Sequence, residues 1–187
     1  MTRTAPAPAV PTPPPTARLF LAAWPTPGTS AQVASHLAQC RWPPRAAPVS
    51  LRRQHLTLHF IGAVDRRRLP EICAGLRIRW QPGPLWLDQP ASWPNGIAVL
   101  QARVVPPALQ ALHAALADAL RGLQLRVEKR RFRPHLTLAR HATDAVLPPL
   151  STPVNWPIDD YVLVESILGT GEYRIVQRYD PVNDVDV

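Results

Sequence analysis

The chain has 187 residues and a mass of 20.7 kDa, a length that fits one domain or two small lobes with a shared core. Hydrophobic residues make up 46% of the sequence and charged residues 18%, which excludes a chain that is disordered throughout. No uninterrupted apolar run reaches the roughly 18 residues of a membrane-spanning helix, so the sequence also excludes a membrane span.

The charge of the chain is strongly asymmetric along its length. Residues 1–64 carry a net charge of +6, residues 65–140 carry +8 and residues 141–187 carry −6, and 20 of the 21 basic residues are arginine. A basic field of this kind favours a polyanionic partner, first of all nucleic acid, because guanidinium groups bind phosphate oxygens in pairs. A GC-rich genome is the alternative explanation for the arginine bias.

The two ends of the chain differ in composition from the part between them. Residues 1–17 contain six prolines and predict a disordered, polyproline-like tail. We also expect an acidic tail over 181–187, which leaves 18–180 as the folded domain. The two cysteines, Cys40 and Cys73, are too few for a disulfide scaffold. They are typical of a cytoplasmic protein, with a single disulfide as the alternative.

Apolar periodicity and turn residues predict a series of short strands and helices between the two tails. In chain order these are a strand over 18–24, a helix over 31–40 capped by Thr29 and Ser30, a strand over 54–61, a helix that begins at Asp65 and continues through Leu76, strands near 84–88 and 97–104, a helix from Pro106 to Gly122, a strand over 135–139, and two strands over 161–168 and 173–179. Because several strands follow one another through short turns, this order favours a mixed or antiparallel α+β architecture over a parallel doubly wound sheet. The sequence contains no glycine-rich phosphate loop.

The most informative feature is a tetrapeptide, His-Leu-Thr-Leu, that occurs at residues 55–58 and again at 135–138. In a strand, the His and Thr of each copy point to one side, about 6.5–7 Å apart, and both leucines point to the other side and into the core. Two such strands brought together would present two imidazoles and two hydroxyls in one groove. A third His-x-Thr triplet, at 141–143, lacks the alternating leucines and is typical of a loop.

These side chains suit phosphoryl transfer without a metal ion. The imidazoles of His55 and His135 can act as general acid and general base, since an unperturbed histidine pKa near 6.5 allows either role close to neutral pH. The hydroxyls of Thr57 and Thr137 can donate hydrogen bonds to non-bridging phosphate oxygens. A single His-x-Thr on a strand is usually structural, so the interpretation depends on the matched pair.

Two further histidines are expected outside the reacting pair. We expect His59 on the same face as His55, one step further along the strand at the rim of the groove, and His113 on the polar side of its helix. A zinc site formed by His55 and His59 is an alternative. In a strand, however, these residues lie about 13 Å apart, and the glutamate of a zincin motif is absent.

The chain resembles the two-histidine phosphoesterases, in particular the RNA 2',3'-cyclic phosphodiesterases long called bacterial 2'-5' RNA ligases. The resemblance covers about residues 18–180. It rests on Arg-Leu-Phe at 18–20, His-Leu-Thr-Leu-His-Phe-Ile-Gly at 55–62, Phe-Arg-Pro-His-Leu-Thr-Leu-Ala-Arg at 132–140 and Glu-Ser-Ile-Leu at 165–168. Trp-Pro at 24–25 departs from the acidic end that the first strand usually has in this family. The resemblance implies an α+β fold of two pseudo-symmetric lobes, built of mostly antiparallel sheet with outer helices around a central cleft.

The resemblance also implies an activity and roles for the motif residues. The activity is hydrolysis of a terminal 2',3'-cyclic phosphate on RNA to a 2'-phosphate, with no metal and no cofactor. Carried over to this chain, His55 would protonate the departing 3'-oxygen and His135 would activate water. Thr57 and Thr137 would hold the phosphate.

Arg140 and Phe20 are the remaining candidates for the substrate site. Arg140 directly follows the second motif and is the expected additional cation at the phosphate. In ideal alternation it would point away from His135, so it reaches the cleft only if the strand ends or bulges there. Phe20 is expected to stack on a terminal base, with a place in the core as the alternative.

We expect a cytoplasmic monomer that acts on RNA ends or small cyclic nucleotides and that has no membrane partner. Two other functions stay open at this point. One is a joining enzyme that runs the same chemistry in reverse and forms a 2'-5' linkage, since the same acid and base serve both directions. The other is a non-catalytic RNA-binding module that uses the basic groove for affinity alone.

Overall fold

The computed structural model describes residues 15–181 and shows an α+β protein. The strands and helices of this part of the chain are β1 (Thr16–Ala23), α1 (Pro27–Leu37), β2 (Ala47–Pro48), β3 (Leu56–Asp65), α2 (Leu69–Gly75), β4 (Gly83–Leu87), β5 (Gln89–Trp93), β6 (Ile97–Gln101), α3 (Pro107–Gly122), β7 (His135–Arg140), β8 (Val154–Ile158), β9 (Tyr161–Ile167) and β10 (Glu172–Tyr179). The predicted tail over 1–17 and the predicted acidic tail over 181–187 fall almost entirely outside the described residues, and β1 begins at Thr16.

The strands form two four-stranded sheets and one two-stranded sheet within the described part of the chain. The first sheet has the order β10-β9-β1-β3, the second has the order β2-β7-β6-β5, and β4 pairs with β8. All of these pairings are antiparallel. The antiparallel α+β class predicted from the short connections is therefore confirmed.

Each copy of the repeated tetrapeptide lies on a different sheet. The first copy begins β3, which is the edge strand of the first sheet, and the second copy begins β7 in the second sheet. The two strands contact one another, which brings the two sheets together along the strands that carry the histidines. This arrangement gives the molecule two lobes, each with one motif strand at the junction.

A large apolar cluster packs the sheets and helices together, and a second, smaller one surrounds Phe20. The large cluster contains leucines of both motif strands, Leu56 and Leu136, which are both fully buried. Helix α3 contributes the apolar stripe that its sequence predicts, consisting of Leu109, Leu112, Leu116 and Leu120. The leucines of the repeat therefore anchor both motif strands in one core, which fixes the strands relative to each other.

The structure differs from the sequence-based prediction mainly at helix starts and at proline-containing strands. Helix α1 begins at Pro27 and is capped by Thr26, whose hydroxyl accepts a hydrogen bond from the Thr29 amide. Thr29 is instead buried inside the helix and donates to the carbonyl of Asn155. Asp65 caps a short 3-10 turn that precedes α2, so α2 begins later than predicted.

Strands β2, β5 and β8 were missed by the sequence analysis. Each contains a proline, at Pro48, Pro90 and Pro157, and proline is normally a signal against a strand because it cannot donate to the ladder. Both cysteines are free thiols. No helix in residues 15–181 is long and apolar enough to cross a membrane.

Candidate active site

A β-bulge in each motif strand determines which side chains face the cleft between the lobes. In β3 the register with β1 passes from Thr57 directly to His59, so Leu58 is the extra residue. In β7 the register with β6 passes from Thr137 directly to Ala139, so Leu138 is the extra residue. The bulge therefore occurs at the second leucine of both copies of the repeat. Beyond each of these bulges the alternation of faces is inverted, in β3 as far as a second irregularity at Ile61.

The inversion brings Arg140 to the face of β7 that carries His135. Leu138 and Ala139 are both buried, and Arg140, the next residue, is exposed. Arg140 was expected to reach the cleft only if its strand ended or bulged there, and β7 has such a bulge. The corresponding residue of β3 is Phe60, which is 47% exposed and lies beside Phe20 with ring centroids 5.9 Å apart.

The two histidine side chains are held in the same way. The Nδ1 atom of His55 donates a hydrogen bond to the Arg53 carbonyl at 2.8 Å, and the Nδ1 atom of His135 donates to the Arg133 carbonyl at 2.6 Å. A carbonyl can only accept, so Nδ1 carries the hydrogen in both rings. In each neutral ring Nε2 is then the atom that can accept a proton, and in each protonated ring it is the atom that can donate one.

Aromatic side chains surround His55. Its ring centroid lies 5.0 Å from that of Phe20, 5.0 Å from that of Trp24 and 5.2 Å from that of Tyr173. Trp24 stacks at an interplanar angle of 23°, and its Nε1 donates to the Arg52 carbonyl. These contacts restrict the orientation of the His55 ring and leave it half-buried.

His135 also packs against a tryptophan. The Trp93 ring lies 4.4 Å from the His135 ring, measured between centroids. Trp93 Nε1 donates to Gln101 Oε1 at 3.1 Å, and Gln101 is the residue of β6 directly opposite His135. Each motif histidine therefore has one tryptophan against its ring, contributed by a neighbouring segment of its own lobe.

The surroundings of both histidines disfavour the charged imidazolium. Burial lowers the pKa of His55 from 6.5 to about 4, against the opposing effect of the hydrogen bond to Arg53, and the positive charges of His135 and Arg140 lower it further. Burial also lowers the pKa of His135, again opposed by its backbone hydrogen bond. Because the charges of His135 and Arg140 act on His55, both groups lie within electrostatic reach of His55.

The threonines of the repeat are half-buried on the cleft faces of their strands. The hydroxyls of Thr57 and Thr137 make no hydrogen bond to any other residue between 15 and 181, so both can bind a ligand. Phe20 is only 3% exposed, and His55, Phe60 and Tyr173 pack around its ring. Stacking of a base on Phe20 stays a prediction, and it requires one of those rings to move.

His59 and His113 are placed differently from the sequence-based expectation. Because of the bulge at Leu58, His59 points to the core side, where it is 1% exposed and its Nε2 donates to the His113 carbonyl at 2.8 Å. The His59 and His113 rings stack at 4.0 Å, and Phe132 stacks on the other face of His113 at 4.1 Å. His59 is therefore not at the groove rim, and His113 is not on the polar side of α3.

The bulge at Leu58 argues against a zinc site formed by His55 and His59. His55 and His59 point to opposite faces of β3, so they cannot share one metal ion. Among residues 15–181, no group of three or more His, Cys, Asp and Glu side chains is arranged to hold a metal.

Three aromatic residues and one feature of the repeat were not among the residues predicted for the site. Trp24, Trp93 and Tyr173 are distant from the motifs in sequence, and no local pattern connects them with the histidines. The repeat itself begins two residues earlier than recognised, since Arg53 and Arg133 occupy the same position before each histidine. This longer pattern, Arg-x-His-Leu-Thr-Leu, contains the carbonyls that orient the imidazoles, and it could have been found from the sequence.

Comparison with known proteins identifies the family of this chain. A family model described as the 2'-5' RNA ligase superfamily matches residues 25–167. An Escherichia coli K12 protein named RNA 2',3'-cyclic phosphodiesterase is 34% identical over 148 residues, which are 74% of this chain and 81% of that protein.

Solved structures have the same fold. Escherichia coli LigT in complex with 3'-AMP is 26% identical and has a TM-score of 0.79, covering 90% of this chain and 99% of that chain. A Thermus thermophilus protein is 25% identical and has a TM-score of 0.74, covering 87% of this chain and 97% of that chain. The matched family model, the extent of the shared fold and the paired motifs agree with one another, and the chain belongs to the 2'-5' RNA ligase superfamily of two-histidine phosphoesterases.

Proposed function

We propose that the protein is a phosphodiesterase that hydrolyses the 2',3'-cyclic phosphate at the end of an RNA strand and leaves a 2'-phosphate. The observation that carries the proposal is the pair of matched imidazoles. Each is held through Nδ1 by the backbone two residues earlier, so that Nε2 is left for proton transfer. The named activity of the 34% identical Escherichia coli protein supports the same reaction class.

In the proposed mechanism the two histidines have complementary roles. His135 Nε2 takes a proton from a water molecule as the water oxygen attacks phosphorus. His55 Nε2 gives a proton to the 3'-oxygen as the bond between phosphorus and that oxygen breaks. The products are a 2'-phosphate and a free 3'-hydroxyl, and each histidine ends in the protonation state in which the other began.

Three side chains on the cleft faces of the motif strands are proposed to bind the phosphate. Thr57 and Thr137 donate hydrogen bonds to the non-bridging oxygens, on which negative charge accumulates in the transition state. Arg140 supplies a positive charge whose effect already reaches His55 in the free protein. The hydroxyls of Thr57 and Thr137 have no hydrogen-bond partner within residues 15–181, so binding the phosphate breaks no existing hydrogen bond.

The direct test is hydrolysis of a 2',3'-cyclic-phosphate oligonucleotide in the presence of EDTA, for the wild-type protein and for single variants. We expect turnover in EDTA, a loss of at least about a hundredfold in kcat for His55→Ala and for His135→Ala, and a smaller loss for Thr57→Val. His141→Asn is the matched control, because His141 begins the third His-x-Thr triplet but is exposed outside the motif strands. Loss of turnover in EDTA, or full activity of His55→Ala, would contradict the proposal.

The family name favours a second candidate, the formation of a 2'-5' linkage between two RNA ends. The same acid and base serve this reverse reaction, with a 5'-hydroxyl of RNA in place of water. Product analysis with a 5'-hydroxyl RNA present at high concentration separates the two reactions. A non-catalytic RNA-binding module would instead bind RNA equally well after substitution of both histidines and would show no turnover in the wild-type form.

We further propose that the protein works as a cytoplasmic monomer on RNA ends or small cyclic nucleotides. The free thiols of Cys40 and Cys73 support a reducing compartment. Because one chain supplies both motif strands, the proposed site needs no second subunit. Sedimentation of the purified protein tests whether it is a monomer. Fractionation of the cells that produce it tests whether it is cytoplasmic.

A further inference from the structure

An open cavity of about 170 Å³ lies beside the second motif strand and is not used by the proposed mechanism. Its lining includes three arginines, Arg103, Arg131 and Arg133, and two glutamines, Gln89 and Gln101. We refer to it as the arginine cavity. Phe132 and Pro134 form part of its apolar wall.

The arginine cavity has an excess of positive charge. Arg131 and Arg133 form no ion pair with any residue between 15 and 181. Arg103 lies 3.5 Å from a carboxylate oxygen of Asp88, measured from its Nε atom, and Asp88 also accepts a hydrogen bond from the Arg103 backbone amide. Guanidinium groups that lack a carboxylate partner and line one cavity favour an anion there, and their planar shape suits a phosphate.

The arginine cavity adjoins the candidate active site through Gln101 and Pro134. Gln101 is the register partner of His135, and Pro134 precedes His135 in the chain. Arg133 comes two residues before His135, a separation of about 6.5–7 Å along an extended backbone. A phosphate at His135 and a phosphate in the arginine cavity would therefore be neighbours, as successive phosphates of one nucleic acid strand are.

The two glutamines that line the arginine cavity, Gln89 and Gln101, are held in place by hydrogen bonds. Gln101 Nε2 donates to Gln89 Oε1 at 3.0 Å, and Gln101 Oε1 accepts from Trp93 Nε1 at 3.1 Å. Trp93 in turn packs on the His135 ring. Gln101 therefore both lines the arginine cavity and holds the tryptophan that packs on His135, which fixes the cavity relative to that histidine.

We propose that the arginine cavity binds the phosphodiester that joins the terminal nucleotide of the RNA to its 5' neighbour. This inference rests on the proposed function, and it makes an oligonucleotide with a cyclic end, rather than a cyclic mononucleotide, the preferred substrate class. Arg131 and Arg133, the two arginines of the cavity that form no ion pair within the described residues, are the specificity-determining residues. They contact the linkage between nucleotides and take no part in the chemistry at the cyclic phosphate.

The test compares three substrates: 2',3'-cyclic AMP, the dinucleotide ApA with a 2',3'-cyclic end, and the same dinucleotide with a neutral methylphosphonate linkage. The two dinucleotides differ at the bridging linkage alone, in its charge. For the wild-type protein we expect kcat/KM for the charged dinucleotide to exceed that for the neutral one by about tenfold, mainly through KM, which is the effect of one charge-assisted contact.

Variants then assign this preference to the arginine cavity. In the double variant Arg131→Gln/Arg133→Gln, which keeps the backbone carbonyl that binds His135, we expect the ratio between charged and neutral dinucleotide to fall to about one. Arg130→Gln is the matched control, because Arg130 adjoins Arg131 and is exposed but does not line the cavity. We expect this control to keep the wild-type ratio. The slope of log kcat/KM against log salt concentration should also fall in the double variant and not in the control.

Each failure has a distinct meaning. If the wild-type protein hydrolyses all three substrates and does not distinguish the charged from the neutral linkage, the arginine cavity does not bind the phosphodiester, whereas the proposed function stands. An unchanged ratio in the folded double variant has the same consequence. If the wild-type protein hydrolyses none of the three substrates, the proposed function is wrong and this inference is wrong with it. The wild-type comparison needs no variant, so it decides the matter even if a substitution prevents folding.

Discussion

At the scale of single residues, the main finding is the aromatic enclosure of His55. Phe20, Trp24 and Tyr173 restrict its ring and leave it half-buried, and its pKa falls to about 4. The pKa of His135 is lowered as well. In the free protein at pH 7 both rings are therefore mainly neutral, although the proposed reaction needs one of them protonated. A bound anionic phosphate favours the imidazolium and raises the pKa of a nearby histidine.

The low histidine pKa values in the free protein predict a difference between two pH profiles. The profile of kcat/KM reports the free protein, so its optimum should lie on the acid side of pH 6.5. The profile of kcat reports the complex, in which the phosphate raises the histidine pKa, so its optimum should lie higher by about one pH unit. Both are measured with a cyclic mononucleotide as substrate. Coincident profiles, or a profile with only one limb, would contradict the paired acid and base roles.

Trp24 allows the cause of the low His55 pKa to be tested separately. In Trp24→Leu the stacked ring is removed and water reaches His55, so we expect the His55 pKa to rise by about one unit towards 6.5. The pKa is measured from the NMR chemical shift of the imidazole during a pH titration. Trp86→Leu is the control, because Trp86 is 48% exposed on β4 and contacts neither histidine. An unchanged His55 pKa in Trp24→Leu would show that Trp24 does not exclude water from the ring.

At the scale of elements, three stacked rings connect the two motif strands through helix α3. His59 belongs to β3, His113 to α3, and Phe132 to the segment that precedes β7. The His59 hydrogen bond to the His113 carbonyl adds a polar contact to this stack. Burial, and then the charge of His59, lower the pKa of His113 to about 4, and burial lowers the pKa of His59. Glu128 opposes the shift of His59, whereas Arg121 adds to it.

The stack predicts a loss of stability in mild acid. Between pH 6.5 and about 4 the unfolded chain binds a proton at position 113 that the folded protein does not bind, so the free energy of unfolding falls as the pH is lowered. The change is at most about 1.4 kcal/mol per pH unit for one histidine. We expect His113→Phe, which keeps an aromatic ring in the stack, to show a smaller slope in urea unfolding experiments over this range. His141→Asn serves as the exposed control, and an unchanged slope in His113→Phe would contradict the prediction.

At the scale of the whole molecule, the two lobes share one apolar core. The cluster includes Leu21 of the first sheet, Leu100 and Leu136 of the second, and Trp156 of the two-stranded sheet, all at most 1% exposed. The lobes consequently lack separate cores that could stay folded alone. The packing that stabilises the fold therefore also fixes the positions of the two histidines relative to each other.

A shared core predicts that the lobes unfold together. Urea unfolding should give one transition with the same midpoint by tryptophan fluorescence and by far-ultraviolet circular dichroism. Leu100→Ala should lower the free energy of unfolding by about 2–5 kcal/mol, because Leu100 is fully buried, and should move both midpoints equally. Two separated transitions, or a shift of one probe without the other, would show that the lobes are independent.

The sequence by itself determined the features that depend on local periodicity. The apolar stripe of α3 and the two strands that carry the repeat follow from spacings of 3.6 and 2 residues, and the antiparallel α+β class follows from the short turns between strands. His55, His135 and the two threonines were recognisable because a repeat is visible without any knowledge of the fold.

Only the tertiary structure decided which side chains meet around those histidines. One extra residue in a strand inverts every later face, and the bulges at Leu58 and Leu138 appear only when β3 and β7 pair with their neighbours. For that reason alternation alone wrongly placed His59 at the rim of the groove and pointed Arg140 away from His135. Trp24 and Trp93 reach the imidazoles through contacts between segments far apart in the chain. Such contacts arise from the packing of whole sheets, which no local pattern encodes.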